Sequence, residues 1–92
     1  MKLNILGKTV KVVIEPKLSD KTGNSGMYCP VNNVILLSDD LKGDYNQVLL
    51  HEFFHAVIMR SGFYNIIDRQ AEEILVDVLA TAFVENFNLK VK

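Results

Sequence analysis

The stretch LLHEFFHAV, Leu49 to Val57, carries both histidines of the chain, four positions apart, with a glutamate directly after the first. On an α-helix, residues i and i+4 lie on one face, one turn apart. His51 and His55 can therefore aim two imidazoles at one point, and zinc takes imidazole nitrogen at about 2.0–2.1 Å. Glu52 projects about a quarter-turn aside, too far round for a third ligand but placed to reach a metal-bound water as a general base. Chance produces H-E-x-x-H in on the order of one in a few hundred chains of this length. Here the motif lies amid apolar helix-forming residues and uses up the histidines. Burying two imidazoles and a carboxylate there is costly unless something pairs with them.

Working outward, the flanks define two helices. Asp44 can cap the first, with Gln47 at the capping-box position, and Gly62 is a natural stop. A second helix is expected from about Asp68 to about Asn86. Both are apolar around most of their circumference, which predicts burial on more than one side.

The first part of the chain reads as β-structure. Lys2–Leu6 and Thr9–Glu15 flank Gly7-Lys8 as a two-residue hairpin turn. Val10, Val12 and Ile14 alternate with Lys11, Val13 and Glu15, giving one buried and one more exposed face. Pro16 ends that run, and Asp20–Gly26 is a loop by composition. A second pair, Met27–Val31 and Val34–Ser38, surrounds an Asn32-Asn33 turn. Pro30 lacks a ladder donor, which makes Met27–Val31 an edge strand. The expected fold class is α+β: a small three- or four-stranded sheet, antiparallel or mixed, packed on two C-terminal helices in a single domain spanning residues 1–92.

Composition narrows the partners. The 92 residues are 49% hydrophobic with a net charge of -1, which allows a compact core and gives no basic surface for nucleic acid. One cysteine, Cys29, excludes an intrachain disulfide. The N-terminus is too polar for a signal peptide, and no apolar run approaches the roughly 20 residues of a membrane span. The expected location is the cytoplasm, with no membrane partner. Oligomeric state does not follow from the chain.

A catalytic zinc usually has three protein ligands and an open position. The second helix offers Glu72, Glu73 and Asp77. Glu73 and Asp77 are four apart and share a face, so Glu73 is the favoured metal ligand, with Asp77 accepting a hydrogen bond from the outer nitrogen of His51. Glu72 is the less favoured ligand. One of the two glutamates is expected to face solvent at the helix N-terminus, where acidic residues complement the helix dipole.

His51-Glu52-Phe53-Phe54-His55 followed by Glu73-Ile74-Leu75-Val76-Asp77 resembles the gluzincin layout, H-E-x-x-H then E-x-x-x-D on a later helix. The size and the lead-in (Gly26-Met27-Tyr28, then Asn32 to Ser38) look most like ImmA/IrrE-type metallopeptidases, and the short metallopeptidase-like proteins of phages and prophages in particular. The likeness covers Gly26–Phe87. It implies a minimal zincin-like core with Zn2+ on His51, His55 and Glu73, Glu52 as catalytic base and Asp77 behind His51.

The leading expectation is thus a zinc-dependent peptide hydrolase acting on a peptide or protein substrate. The alternative is a binding module with structural or vestigial zinc, phage-encoded and directed at a host protein. A hydrolase of non-peptide amides is a third reading. Tyr28 and Tyr64 are candidate oxyanion stabilisers, although tyrosines at turns and helix ends more often serve packing. Cys29 could close or block the site as a thiolate, or sit as a small hydrophobe. Arg60 and Arg69 read as solvent-facing charges near helix ends.

Overall fold

A computed structural model of the protein describes residues 1–41 and 45–87. The expected Asp44 cap lies outside the described residues. The architecture is α+β, with a four-stranded mixed sheet and two long C-terminal helices.

Strands β1 (Lys2–Ile5) and β2 (Lys8–Glu15) form an antiparallel hairpin with Ile5 opposite Lys8. Its turn is Leu6-Gly7, one residue earlier than the expected Gly7-Lys8. Both turn residues have positive φ, 49° and 82°, as the tight turn that matches strand twist requires. This register keeps Ile5 in the core, whereas a one-residue slip would turn it outward. The expected alternation in β2 holds for Val10 and Val12, which are buried, but not for Ile14, which is 39% exposed.

After Pro16 the chain forms a short helix, α1 (Leu18–Thr22), where part of a loop was expected. Buried Leu18 anchors it, and Gly23 at φ 77° closes it with its N–H on the Ser19 carbonyl at 2.8 Å. The chain then makes β3 (Gly26–Cys29) and β4 (Val34–Ser38), antiparallel to each other. β3 ends at Cys29 rather than Val31, and the turn is Pro30–Asn33. Pro30 cannot donate to a ladder, and Val31 is 94% exposed.

β4 pairs parallel to β2, with Lys11 opposite Val34 and Glu15 opposite Ser38. Parallel neighbours need a long crossover, and α1 with β3 supplies it. The strand order is β1-β2-β4-β3, so β3 is at the edge, as Pro30 indicates.

Helices α2 (Tyr45–Ser61) and α3 (Arg69–Asn86) follow, joined through Gly62 at φ 87° and a 3-10 turn over Phe63–Asn65. Asp68 caps α3, its Oδ1 accepting the Ala71 N–H at 2.8 Å. Gln47 donates its side-chain amide to the Thr81 hydroxyl at 3.4 Å, tying α2 to α3. Leu49 and Ala56 of α2 join Ile5, Val10, Val12, Ile35 and Leu37 of the sheet in one core. Among the described residues no helix is long and apolar enough to cross a membrane.

α2 is covered from two sides, by the sheet and by α3. The expectation fails for α3, which buries one stripe, Glu72, Val76 and Ala80, at i, i+4 and i+8. Ile74 and Val78 are each 59% exposed. α3 is the outer layer of the stack, and an outer helix is covered on one face only.

The approach of β3 to α2 sets the position of the motif. A Cβ on Gly26 would lie 2.8 Å from Val48 Cγ1 and 3.2 Å from both Glu52 Cγ and the Leu36 carbonyl oxygen. Neither a branched Val side chain nor a strand carbonyl gives way easily. Gly26→Ala is therefore expected to destabilise the fold by about 1–3 kcal/mol as an overpacking defect, despite the smaller unfolded-state entropy of alanine. Urea unfolding of the two proteins measures this, and equal stability would mean that the contact is loose.

Candidate metal centre

α2 brings His51 and His55 together one turn apart, with ring centroids 4.7 Å apart and planes inclined by 69°. Their inner nitrogens converge, with Nε2 to Nε2 at 3.1 Å. Glu73 reaches both, Oε1 lying 3.5 Å from His51 Nε2 and Oε2 3.1 Å from His55 Nε2. Four donors around a tetrahedral ion at about 2.0–2.1 Å stand roughly 3.3 Å from one another. One ligand atom from each of His51, His55 and Glu73 lies within 4.8 Å of the others.

The outer nitrogens are fixed by acids. His51 Nδ1 meets Asp77 Oδ1 at 2.8 Å, and His55 Nδ1 meets Glu72 Oε2 at 2.6 Å. A ring that donates its Nδ1–H to a carboxylate presents a bare lone pair at Nε2. Two such lone pairs pointing at each other repel unless a proton or a metal cation lies between them. The donor set, its spacing and the fixed outer nitrogens fit a divalent metal ion.

The expectation that one of the two glutamates faces solvent holds, since Glu73 is exposed and Glu72 is buried. Glu73, with a side chain 58% exposed, is the glutamate that faces the histidines' inner nitrogens. Glu72 is 3% exposed and sits on the buried stripe of α3, against the back of His55. Its second oxygen, Oε1, is buried with no hydrogen-bond partner among the described residues. It is an orienting carboxylate rather than a member of the donor set. The signal for this was its place four residues before Val76 and eight before Ala80.

Glu52 shares a cavity of about 350 Å³ with His51, His55 and Glu73. Burial raises the proton affinity of its carboxyl above the ordinary glutamate range; the neighbouring histidines and the Tyr28 backbone N–H pull the other way, while Glu73 adds to the rise. A second cavity of about 320 Å³, lined by Gln47, Val48 and Asp77 among others, adjoins it through Asn24, Gly26, His51 and Glu52.

The tyrosine hydroxyls are engaged elsewhere. Tyr28 donates to Asn33 Oδ1 at 3.3 Å and accepts from Arg60 Nη1 at 3.4 Å. What Tyr28 offers the site is its backbone N–H, on Glu52. Arg60 is no free surface charge, because its Nη1 also donates to Asn33 Oδ1 at 2.7 Å and pins the β3–β4 turn to the end of α2. Tyr64 accepts a hydrogen bond from Arg69 Nη2 at 2.6 Å and lies on neither cavity wall. Cys29 is outside the donor group.

No protein-family model, curated protein or solved structure matches the chain, so the chemistry is read from the site itself.

Because burial holds the Glu52 pKa above its ordinary value, the fold favours the protonated acid. That contribution is fully present below the unfolded-state pKa and is lost as pH rises through the folded-state one. Glu52→Gln removes the titration. In metal-free protein, the Tm of the variant minus that of wild type should increase between about pH 4 and about pH 8. A difference that stays flat or falls would show that the carboxylate is not disfavoured by burial.

Proposed function

We propose that the protein is a zinc-dependent peptide hydrolase of gluzincin type, like the ImmA/IrrE-type metallopeptidases and the short phage and prophage proteins that it resembles. The observation that carries the reading is the pairing of both outer imidazole nitrogens with Asp77 and Glu72, while both inner nitrogens face Glu73. A structural zinc is normally closed by a fourth protein ligand. Three donors among the described residues, without Cys29, leave a position for water, which favours catalysis over the structural or vestigial site of a binding module.

Zinc bound there supplies Lewis acidity and a water of lowered pKa. The residues of the chain do the rest. Asp77 and Glu72 hold protons on Nδ1 of the two histidines and keep their Nε2 atoms basic. The Glu52 carboxylate, steadied by the Tyr28 N–H, takes a proton from the attacking water and hands it to the leaving amine nitrogen.

Edge strand β3 gives an extended peptide a place to lie. The Ser38 N–H bonds to the Ser25 carbonyl at 2.8 Å. Antiparallel alternation then turns Met27 and Cys29 toward β4, and the backbone groups of Gly26 and Tyr28 outward beside Glu52. An added strand would pair with the outward groups that Glu52 leaves free, the Gly26 N–H and carbonyl and the Tyr28 carbonyl. The reading fits a cytoplasmic enzyme, and non-peptide amides would meet the same groups.

Elemental analysis of purified protein should find one zinc per chain, lost in His55→Ala. Glu52→Gln should keep the metal and lose peptide hydrolysis by about 10²–10⁴-fold. No metal after reconstitution would make His51 and His55 packed core residues and remove the enzyme reading. Zinc without turnover in wild type would leave the binding module.

A further inference from the structure

The cavity that holds His51, His55 and Glu73 also has a cation on its wall, Arg69, at the first position of α3. Three carboxylates line the same cavity, those of Glu52, Glu72 and Glu73. Arg69 pairs with none of them. Its guanidinium carbon lies 4.8 Å from the centre of the Tyr64 ring, and Nη2 donates to the Tyr64 hydroxyl at 2.6 Å. Glu72 is spent on His55, and Glu73 faces the imidazoles.

An arginine beside several acids that satisfies itself on an aromatic ring keeps its charge uncompensated. The stack also removes much of the side-chain freedom that a carboxylate would otherwise have to freeze out. Tyr64 occupies one edge of the guanidinium. The remaining N–H groups form a planar fork, which suits a carboxylate in two-point contact.

We propose that Arg69 is a carboxylate-recognition residue, so that the peptide taken by this site presents a carboxylate group to the cavity wall beside the histidines. This rests on the reading of the site as a peptide hydrolase. The acid comes from a free C-terminus or from an Asp or Glu side chain, and both offer the same two oxygens. The same cavity carries Met27 and Met59 on its wall, adaptable apolar side chains suited to the body of the residue that bears the acid. Among the described residues, those that line the adjoining cavity, Asn24, Ser25, Gln47 and Asp77 among them, include no lysine or arginine, so the preference has a direction along the groove.

The test separates recognition from turnover by measuring binding to zinc-loaded Glu52→Gln protein. Three mixed-sequence, N-acetylated hexapeptide pools serve as probes in calorimetric titration. One ends in a free carboxylate and lacks acidic side chains, one is its C-terminal amide, and one is an amide with a single internal glutamate. One acid-bearing pool should bind at least about tenfold more tightly than the plain amide, the worth of one charged hydrogen-bonded contact. The pool that does so identifies the source of the acid.

Placing Arg69→Gln in the same background should bring the acid-to-amide ratio near one, and Arg69→Lys should restore part of it. Equal binding of all three pools, or no binding of any, overturns the proposal. So does a preference that persists in Arg69→Gln, because the bound metal would then be the acid's partner. If wild type cleaves nothing and the Arg69-dependent preference remains, the hydrolase reading falls while carboxylate recognition stands.

Discussion

Two imidazoles held between α2 and α3 need a partner for every ring nitrogen, because an unpaired polar group away from water costs on the order of 1–3 kcal/mol. That demand sets how α3 sits. To reach Nδ1 of His55, Nδ1 of His51 and the two Nε2 atoms, α3 must turn Glu72, Asp77 and Glu73 toward α2 together. Once Glu72 occupies the buried stripe with Val76 and Ala80, the rotation of the helix leaves no freedom. Ile74 and Val78 are then carried outward, against the usual preference of such side chains. The start of the helix serves the same end. Asp68 caps it one turn before Glu72, whose own N–H bonds to the Asp68 carbonyl at 2.9 Å.

The sheet contributes through its order. The parallel pairing of β2 with β4 fills the middle and leaves β3 on the edge beside α2. Gly26 lets the strand approach closely enough for Glu52 to lie against the Tyr28 N–H. Arg60 fastens the far end of the strand through Asn33 and Tyr28. The base of the proposed chemistry is thus located by three contacts to one edge strand.

Much of this was legible in the residues because it follows from local rules. The histidine spacing, the Glu73–Asp77 spacing, the start of α3 near Asp68, the Gly62 stop and the edge position imposed by Pro30 each depend on a few neighbouring residues. What was not legible depends on distant ones. Leu6 gives no hint that it will accept a left-handed turn conformation; it does so because Ile5 must face a core built partly from α2. The parallel β2–β4 pairing depends on α1, and α1 depends on Leu18 finding a pocket. Glu72 was hardest to place. A glutamate in the first turn of a helix ordinarily complements the dipole in solvent, and only the geometry of His55 makes burying it worthwhile.

The same arrangement explains why the site is a strained part of an otherwise ordinary small fold. Four carboxylates, Glu52, Glu72, Glu73 and Asp77, gather around two imidazoles, and the nearby guanidinium of Arg69 turns to Tyr64 instead of neutralising them. One carboxylate oxygen is buried without a partner among the described residues, and one carboxyl has its proton affinity raised by burial. Sequences selected for stability alone avoid such conflicts between local chemistry and packing, and their persistence marks functional sites. A divalent cation would relieve several of them together, satisfying the converging lone pairs and offsetting the gathered negative charge. Ligands that bind only the folded state stabilise it by mass action, so a metal held at this site would couple its occupancy to folding through the seam that fixes α3.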